Sequence, residues 1–314
     1  MTGVAYPGYV PSPANLLPAM STVFCPFVSV TSLTRGGGMP ATSVVVLSGK
    51  GGTAKTLWQM TMAGEASGAG LSTLLVDVDP ERNLSNRFGV SQHSTGLGNV
   101  FEDAGVTAGE ASADRGASRV GSEIISTPWV GVGLLPAGAS LTGIGQVNIS
   151  DTWLLRDIFT AADIYNRYDL LLLDTGGRTG SLVTLAMYAA DVAYAPIAPT
   201  TDAVRKAVEA RVRVERIHRA HPLRWAGVVL SGFDGRIGIE EAIRAKAYEE
   251  FGDEVRAEVP RRAVINETFQ LCERLGDRTD VASTNLAGIF RAFLERDLLQ
   301  QVSTAAVATS GAIR

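Results

Sequence analysis

The sequence predicts an α/β fold, in which a doubly wound, mostly parallel sheet carries helices on both faces. Short apolar runs, rich in valine and leucine, occupy residues 43–48, 74–76 and 170–173. Each run has the composition of a strand buried on both faces, and helix-length segments separate the runs. The second and third runs end in aspartates, at the place where the carboxyl ends of parallel strands bind ligands.

Composition and charge exclude several classes of protein. The chain has 314 residues, 46% of them hydrophobic, which suits one large α/β domain or two smaller ones with a full core. Its formal net charge is −4, so contact with a polyanion would need a local basic patch. Cys25 and Cys272 are too few for a disulfide framework or a four-cysteine metal site, which fits a reducing cytoplasm. No uncharged apolar run reaches the roughly 18 residues of a membrane helix, so no membrane span is expected.

The two ends of the chain differ in composition from its middle. Residues 1–40 are rich in proline, glycine, serine and threonine, and we interpret them as a disordered extension. Arg35 and the glycines after it read like a translated ribosome-binding site, so Met39 is an alternative start of translation. Residues 41–300 form the predicted α/β domain, and residues 301–314 a flexible tail without the apolar face of a membrane-surface helix.

A glycine-rich loop follows the first predicted strand. Residues 49–56 read Gly-Lys-Gly-Gly-Thr-Ala-Lys-Thr, and a helix is predicted over residues 57–68. Such a loop between a strand and a helix is a P-loop, whose backbone N–H groups and helix N-terminus bind phosphates. We expect Lys55 to reach the β- and γ-phosphates of ATP and the Thr56 hydroxyl to bind Mg²⁺. The expected nucleotide contacts are Gly49, Lys50, Gly51, Gly52, Thr53, Ala54, Lys55, Thr56 and Leu57.

Ala54 departs from the usual P-loop pattern, because a glycine normally precedes the lysine. A methyl group is tolerated at this position only if the backbone φ angle is negative. We therefore expect a negative φ at Ala54 and only a small perturbation of the loop.

Aspartates close the next two predicted strands. Asp77 and Asp79 follow the second strand, and Asp174 ends the third, an apolar run typical of a Walker B motif. Asp174 is expected to hold Mg²⁺ through water. The alternative is that Asp77 and Asp79 simply cap a helix.

The lysine after the first glycine of the loop makes the pattern more specific. With Lys50, the loop resembles the deviant Walker A motif, K-G-G-x-x-K-T, of the ParA/MinD family of P-loop ATPases, and residues 77–83 resemble its D-x-D-P-Q-G-N motif. The resemblance covers roughly residues 43–294, is weak over residues 91–150, and implies that Lys50 reaches across a dimer interface to the phosphates of the other subunit. It also implies that Asp79 orients or deprotonates the attacking water and belongs to the metal site with Thr56 and Asp174. Asp77 would support the Mg²⁺ shell or the loop.

The loops around the predicted site differ from the family pattern at several positions. The substitutions are Glu81 for glutamine, Arg82 for glycine, and Gly176 and Gly177 for the more common prolines. Farther along, residues 191–200 resemble the family strand whose end lies beside the base or ribose. This resemblance implies a nucleotide contact at Pro199.

Basic residues in the C-terminal half form a candidate DNA-binding face. Segments 224–236 and 258–262 resemble the chromosome- and plasmid-partition branch of the family, which implies non-specific DNA binding by the ATP-bound dimer. A predicted helix over residues 203–218 adds arginines, each of which would supply salt-sensitive affinity for phosphate. The candidates are Arg205, Lys206, Arg236, Arg261 and Arg262. The alternative is a solvated helix face with i,i+4 charge pairs.

The patterns and the resemblance together predict an ATP-dependent DNA partition ATPase. We expect slow hydrolysis of Mg-ATP by a homodimer that binds non-specific double-stranded DNA. A ParB-like DNA-binding partner would stimulate hydrolysis, and the protein would be cytoplasmic and nucleoid-associated, without a membrane partner. Two alternatives share the fold: a ParA-like ATPase that positions another cargo, and a metabolic ATP-dependent enzyme with a small-molecule substrate.

Overall fold

The computed structural model describes residues 41–48, 54–91, 94–145, 149–177 and 180–299. The predictions for the extension, for the Met39 start and for the tail after residue 300 lie outside these residues. The predicted nucleotide contacts at residues 49–53 also lie outside them. Among the described residues, no helix has both the length and the apolar character needed to cross a bilayer.

The described residues build an eight-stranded sheet in the order β3-β4-β2-β5-β1-β6-β7-β8. All neighbouring strands run parallel except β3, which is antiparallel to β4 at one edge. The strands are β1 (Thr42–Val46), β2 (Thr73–Asp77), β3 (Ile125–Ser126), β4 (Val132–Leu135), β5 (Leu170–Asp174), β6 (Val192–Ile197), β7 (Arg224–Phe233) and β8 (Val255–Pro260). The strands β2, β5 and β1 therefore end side by side at the carboxyl edge of the sheet.

Helices connect most of these strands. The α-helices are α1 (Lys55–Gly68), α2 (Asn83–Arg87), α3 (Leu97–Asp103), α4 (Ala113–Glu123), α5 (Leu141–Ile144), α6 (Leu154–Ala161), α7 (Ile164–Arg167), α8 (Ser181–Ala189), α9 (Ala203–His218), α10 (Gly238–Phe251), α11 (Ala263–Leu271) and α12 (Val281–Phe293). Two 3₁₀ turns (Gly252–Glu254 and Leu275–Asp277) and a π-helical turn (Leu294–Leu299) complete the described elements.

Separate apolar cores lie on the two faces of the sheet. Helices α3 to α10 pack on one face, and α1, α2, α11 and α12 pack on the other. Trp58 of α1 is fully buried on the second face, with its ring centroid 4.5 Å from that of Phe290. The central strands β1, β2 and β5 are buried along their whole length, as their continuous apolar sequences predict. The predicted doubly wound α/β fold is confirmed.

Most element positions follow the sequence patterns. The helix predicted over residues 203–218 is α9, with the same bounds. The edge strand β3 carries no apolar pattern, because both of its residues are exposed, and the sequence did not indicate it.

Candidate active site

The candidate site lies at the carboxyl edge of the sheet, where β1, β2 and β5 end. β5 is hydrogen-bonded between β1 and β2, and Asp77 is in register with Asp174. α1 begins at Lys55, after the loop that follows β1. Because parallel strands end at one edge, the fold brings Lys55, Thr56 and Asp79 into the neighbourhood of Asp174.

Lys55 lies in the first turn of α1 and is buried. Its Nζ donates a hydrogen bond to Ser48 Oγ at 2.8 Å. Burial lowers the pKa of Lys55, while the nearby carboxylates of Asp174 and Asp79 act in the opposite direction. A lysine held at a helix N-terminus in this way is placed to meet phosphate oxygens.

Thr56 and Asp174 form the polar pair expected of a Mg²⁺ site. Thr56 Oγ1 donates to Asp174 Oδ2 at 2.6 Å, and Asp174 Oδ1 is buried without a hydrogen-bond partner among the described residues. Burial, reinforced by the neighbouring Asp77 carboxylate, raises the pKa of Asp174 to about 8. A divalent cation favours the charged form of such a carboxylate, so this donor set fits Mg²⁺.

Asp77 is completely buried and supports the loop after β2. Its Oδ2 accepts hydrogen bonds from the Ser85 N–H at 2.8 Å and the Ser85 hydroxyl at 2.6 Å, and its Oδ1 accepts one from the Asp79 N–H at 3.1 Å. Burial raises the pKa of Asp77 to about 6, although these hydrogen bonds lower it. Of the two roles considered for Asp77, its contacts favour support of the loop.

Asp79 lies in the loop between β2 and α2, and the residue is 5% exposed. Its Oδ1 accepts a hydrogen bond from the Glu81 N–H at 3.0 Å, and its Oδ2 accepts one from Asn83 Nδ2 at 3.1 Å. Asn83 was not among the predicted site residues, although it is the last residue of the D-x-D-P-x-x-N pattern. The carboxylate is thus oriented by its own loop.

Gly176 makes room for the Asp79 carboxylate. A Cβ atom at position 176 would lie 2.8 Å from Asp79 Oδ1, closer than real Cβ contacts. The sequence indicated Gly176 only as a replacement for the more common proline. The structure shows that the missing side chain also creates space for a site residue.

The backbone φ angle of Ala54 is positive, in contrast to the negative value expected from the sequence. Its φ is +64° and its ψ is +19°, in the left-handed region. Its carbonyl accepts the Trp58 N–H at 2.9 Å, so Ala54 caps the start of α1. The expectation was wrong because the turn from the loop into the helix needs the left-handed conformation that the usual glycine provides, and alanine adopts it despite its methyl group.

Residues of α11 line the site although no sequence pattern indicated them. A cleft of about 350 Å³ is bordered by the start of α1, by Asp79 and Asn83, and by α11. The α11 residues are Asn266, Phe269 and Gln270. Arg87 of α2 stacks on the Phe269 ring, with its guanidinium 4.4 Å from the ring centroid. Tertiary packing alone brings α11 to this cleft.

Pro199, the predicted contact for the base or ribose, is half-buried and lies two residues beyond the end of β6.

Most of the candidate DNA-binding residues are already paired with acids. The pairs are Arg205 and Lys206 with Glu209, Arg236 with Asp234, and Arg261 with Glu240. Arg262 is exposed and donates to the Arg261 carbonyl at 3.0 Å, with no ion pair among the described residues. The pairing of Arg205 with Glu209 is the i,i+4 arrangement considered as the alternative. These residues follow β6, β7 and β8, at the same edge of the sheet as the candidate site.

The fold and the site define a class of protein. A buried strand, a loop and a helix that place Lys55 and Thr56 beside Asp79 and Asp174 are the parts of a P-loop nucleotide-binding protein. An AAA domain profile (AAA_31) matches residues 41–220. The chain belongs to this family, and its relatives identify it as a ParA/MinD-type P-loop ATPase.

One sequence relative and two solved structures illustrate the similarity. The chain is 27% identical to the chromosome partitioning protein ParA of Caulobacter vibrioides over 237 residues, which cover 73% of this chain and 84% of ParA. A McdA variant from Cyanothece in complex with ATP has a TM-score of 0.65 at 16% identity, over 82% of this chain and 96% of that one. MinD of Pyrococcus horikoshii OT3 with Mg-ADP has a TM-score of 0.62 at 21% identity, over 85% and 97%. Both structures support the fold.

Proposed function

We propose that the protein is a DNA partition ATPase, in which ATP binding joins two copies and the dimer binds non-specific DNA. The observation that carries this proposal is the similarity to ParA over 84% of ParA's length. The placement of Lys55, Thr56 and Asp174 at one edge of the sheet supports the ATPase part. The ATP and Mg-ADP bound by two structural neighbours support the choice of ligand.

Thr56 and Asp174 are the residues that would hold Mg²⁺, with Asp79 close to its water shell. Within the described part of the chain, no group of three or more histidine, cysteine, aspartate or glutamate side chains forms a metal site. Phosphate and water oxygens would therefore complete the coordination, as is usual for Mg²⁺ at nucleotide sites. The bound cation would neutralise charge on the phosphates.

Asp79 is the residue we assign to the attacking water. Each of its oxygens accepts one hydrogen bond from the loop and retains a lone pair that a water molecule can use. Lys55, and Lys50 from the other subunit, would offset the charge that develops on the γ-phosphate oxygens. We expect slow turnover until a ParB-like partner stimulates it.

The test is binding of a labelled, non-specific DNA duplex with no nucleotide, ADP or ATP, across a salt series. We expect salt-sensitive binding only with ATP, because the dimer doubles the number of phosphate contacts. Lys50→Ala should abolish this binding. Lys246→Ala is the matched control, because Lys246 is an exposed lysine in the middle of α10.

The outcomes separate the proposal from its rivals. Loss of binding in Lys50→Ala, but not in Lys246→Ala, supports both DNA binding and the role of Lys50 across the dimer. ATP-driven dimers that bind no DNA at any salt concentration would overturn the partition function. That result would favour the positioning of another cargo or a metabolic reaction.

A further inference from the structure

The turn after β2 sets the direction of the Asp79 carboxylate. The Arg82 N–H donates to the Asp79 carbonyl at 2.8 Å and closes the turn. The two hydrogen bonds to the carboxylate come from Glu81 and Asn83, the neighbours of Arg82 on either side. The orientation of the carboxylate therefore depends on the backbone conformation at Arg82.

Arg82 occupies a backbone conformation that favours glycine. Its φ is +60° and its ψ is +32°, at the position where the family motif has glycine. A side chain is disfavoured in this region because Cβ crowds the following carbonyl, and such residues persist when their surroundings hold them there. The contacts of the Arg82 side chain stabilise this backbone conformation. The side chain is buried, and its Nη2 donates to the Ser91 carbonyl at 2.5 Å and to Ser94 Oγ at 3.2 Å.

Ser94, which accepts a hydrogen bond from Arg82, begins a stretch (residues 94–98) that is hydrogen-bonded to the residues just after β4. Its hydrogen bonds run from Ala139 N to Ser94 O (3.1 Å), from Leu97 N to Pro136 O (2.8 Å) and from Gly98 N to Ala137 O (2.9 Å). Ser85 provides a second tie, because its Oγ donates to Asp77 and accepts the Ala137 N–H at 3.1 Å. The turn that carries Asp79 is thus attached to the β4 end by Arg82 and by Ser85.

We propose that Arg82 is a positioning residue for ATP hydrolysis, which holds the turn that orients Asp79. The inference rests on the proposed hydrolysis and on the role of Asp79 in it. Arg82 acts through the backbone of the turn, and its guanidinium donates to Ser91 and Ser94. Where the family pattern has a glycine that permits several turn conformations, this chain has an arginine whose side chain selects one.

The experiment compares Arg82→Gly, Arg82→Lys and Ser94→Ala in the full chain. The measurements are kcat and KM for ATP, equilibrium binding of a fluorescent ATP analogue, and thermal unfolding. For Arg82→Gly we expect kcat to fall about tenfold, because misplacement of an orienting group costs rate. We expect nucleotide affinity within about twofold of wild type, because no phosphate contact is removed. The melting temperature should be equal or higher, because glycine adopts a φ of +60° without strain.

The remaining variants test the contacts of the guanidinium. Arg82→Lys should lie between wild type and Arg82→Gly, since an ammonium cannot make the planar fork. Ser94→Ala should lower kcat about threefold by itself and add little in the Arg82→Gly background, because both changes remove one interaction. Asp163→Gly is the control: Asp163 has a φ of +58° at the start of α7, remote from the β2 loop, so it relieves backbone strain without changing kcat.

A wild-type kcat in Arg82→Gly would overturn the proposal. So would parallel losses of kcat, nucleotide affinity and melting temperature, because they describe a general structural role. If Arg82→Gly fails to fold, wild-type kcat in both Arg82→Lys and Ser94→Ala would be decisive against it.

The proposed ATPase function and the role of Arg82 can fail independently, and the experiments distinguish the two failures. If the wild-type protein hydrolyses no ATP, the function fails, and amide hydrogen exchange tests the turn directly. The Glu81 and Ser85 amides donate to Asp79 and Asp77, so we expect their exchange to accelerate about tenfold in Arg82→Gly. Unchanged exchange would overturn the role of Arg82 in holding the turn.

Discussion

At the scale of single residues, two departures from glycine surround the candidate site. Ala54 and Arg82 both have left-handed backbone angles, with φ values of +64° and +60°. The general P-loop pattern has glycine at the first position, and the ParA/MinD motif D-x-D-P-Q-G-N has it at the second. The turns into α1 and α2 therefore adopt backbone angles that favour glycine without having glycine there, a local conflict of the kind expected at functional sites.

Ala54→Gly should stabilise the protein. Relief of the left-handed strain exceeds the extra entropy of glycine in the unfolded chain, so we expect an increase of about 0.5–1 kcal/mol in the free energy of unfolding. Urea denaturation measures it. Ala69→Gly at the other end of α1 is the control, because Ala69 has a φ of −86° and no strain to relieve. A destabilised Ala54→Gly would contradict the strain argument.

Gly176→Ala should slow hydrolysis. The new methyl group would displace the Asp79 carboxylate, since a Cβ there lies 2.8 Å from Oδ1. We expect kcat to fall about tenfold, with little change in nucleotide affinity. Gly180→Ala is the matched control in the same loop region, because its Cβ would meet nothing within 4 Å. Equal kcat in the two variants would show that Asp79 tolerates the methyl group.

At the scale of elements, one buried acid joins α1 to the C-terminal helix. Glu65 of α1 is 1% exposed, and its carboxylate accepts hydrogen bonds from Arg291 Nε of α12 at 2.6 Å and from the Gly276 N–H at 3.0 Å. Burial raises the pKa of Glu65, and Arg291 offsets only part of this effect. The hydrogen bonds, more than the charge, therefore account for the stabilising role of Glu65.

Glu65→Ala should lower the free energy of unfolding by about 2 kcal/mol, because it leaves the Gly276 N–H and Arg291 without their acceptor. Glu65→Gln keeps an acceptor and should cost less. Since the folded-state pKa lies above the ordinary 4.5, the contribution of Glu65 is full below that value and declines as pH rises through the folded-state pKa. Urea titrations between acid and neutral pH should therefore show wild type losing stability relative to Glu65→Gln as pH rises. A constant difference would contradict the raised pKa.

At the scale of the whole molecule, the sequence was most informative where one element carries its own signal. The apolar runs of β1, β2 and β5 predicted the sheet, and the motifs at their ends predicted the residues that lie together at the candidate site. Contacts made only in three dimensions could not be predicted. Asn266 and Phe269 of α11 reach the cleft because α11 packs beside α1, about two hundred residues earlier in the chain, and no local pattern reports such packing.

The charge distribution of the whole molecule bears on the proposed DNA binding. The chain carries a net charge of −4, and three of the candidate residues, Arg205, Lys206 and Arg236, are paired with acids. A cation that already neutralises a carboxylate gains less from a phosphate, because the acid must first be displaced. Arg262, exposed and without an ion pair among the described residues, is therefore the strongest of the five candidates.

Arg261 and Arg262 are adjacent arginines, of which only Arg261 forms an ion pair among the described residues, so their substitutions should have different effects. Arg262→Ala should weaken ATP-dependent DNA binding and reduce the slope of log affinity against log salt by about 1, with unchanged stability. Arg261→Ala should instead destabilise the fold, because Arg261 Nη2 donates at 2.6 Å to Glu240, which is 7% exposed and would be left as an unpaired acid. DNA titrations at several salt concentrations, with urea denaturation of both variants, distinguish the two effects. If Arg262→Ala keeps the full salt slope, the DNA contacts must lie elsewhere on the molecule, and the arginines of α9 become the next candidates.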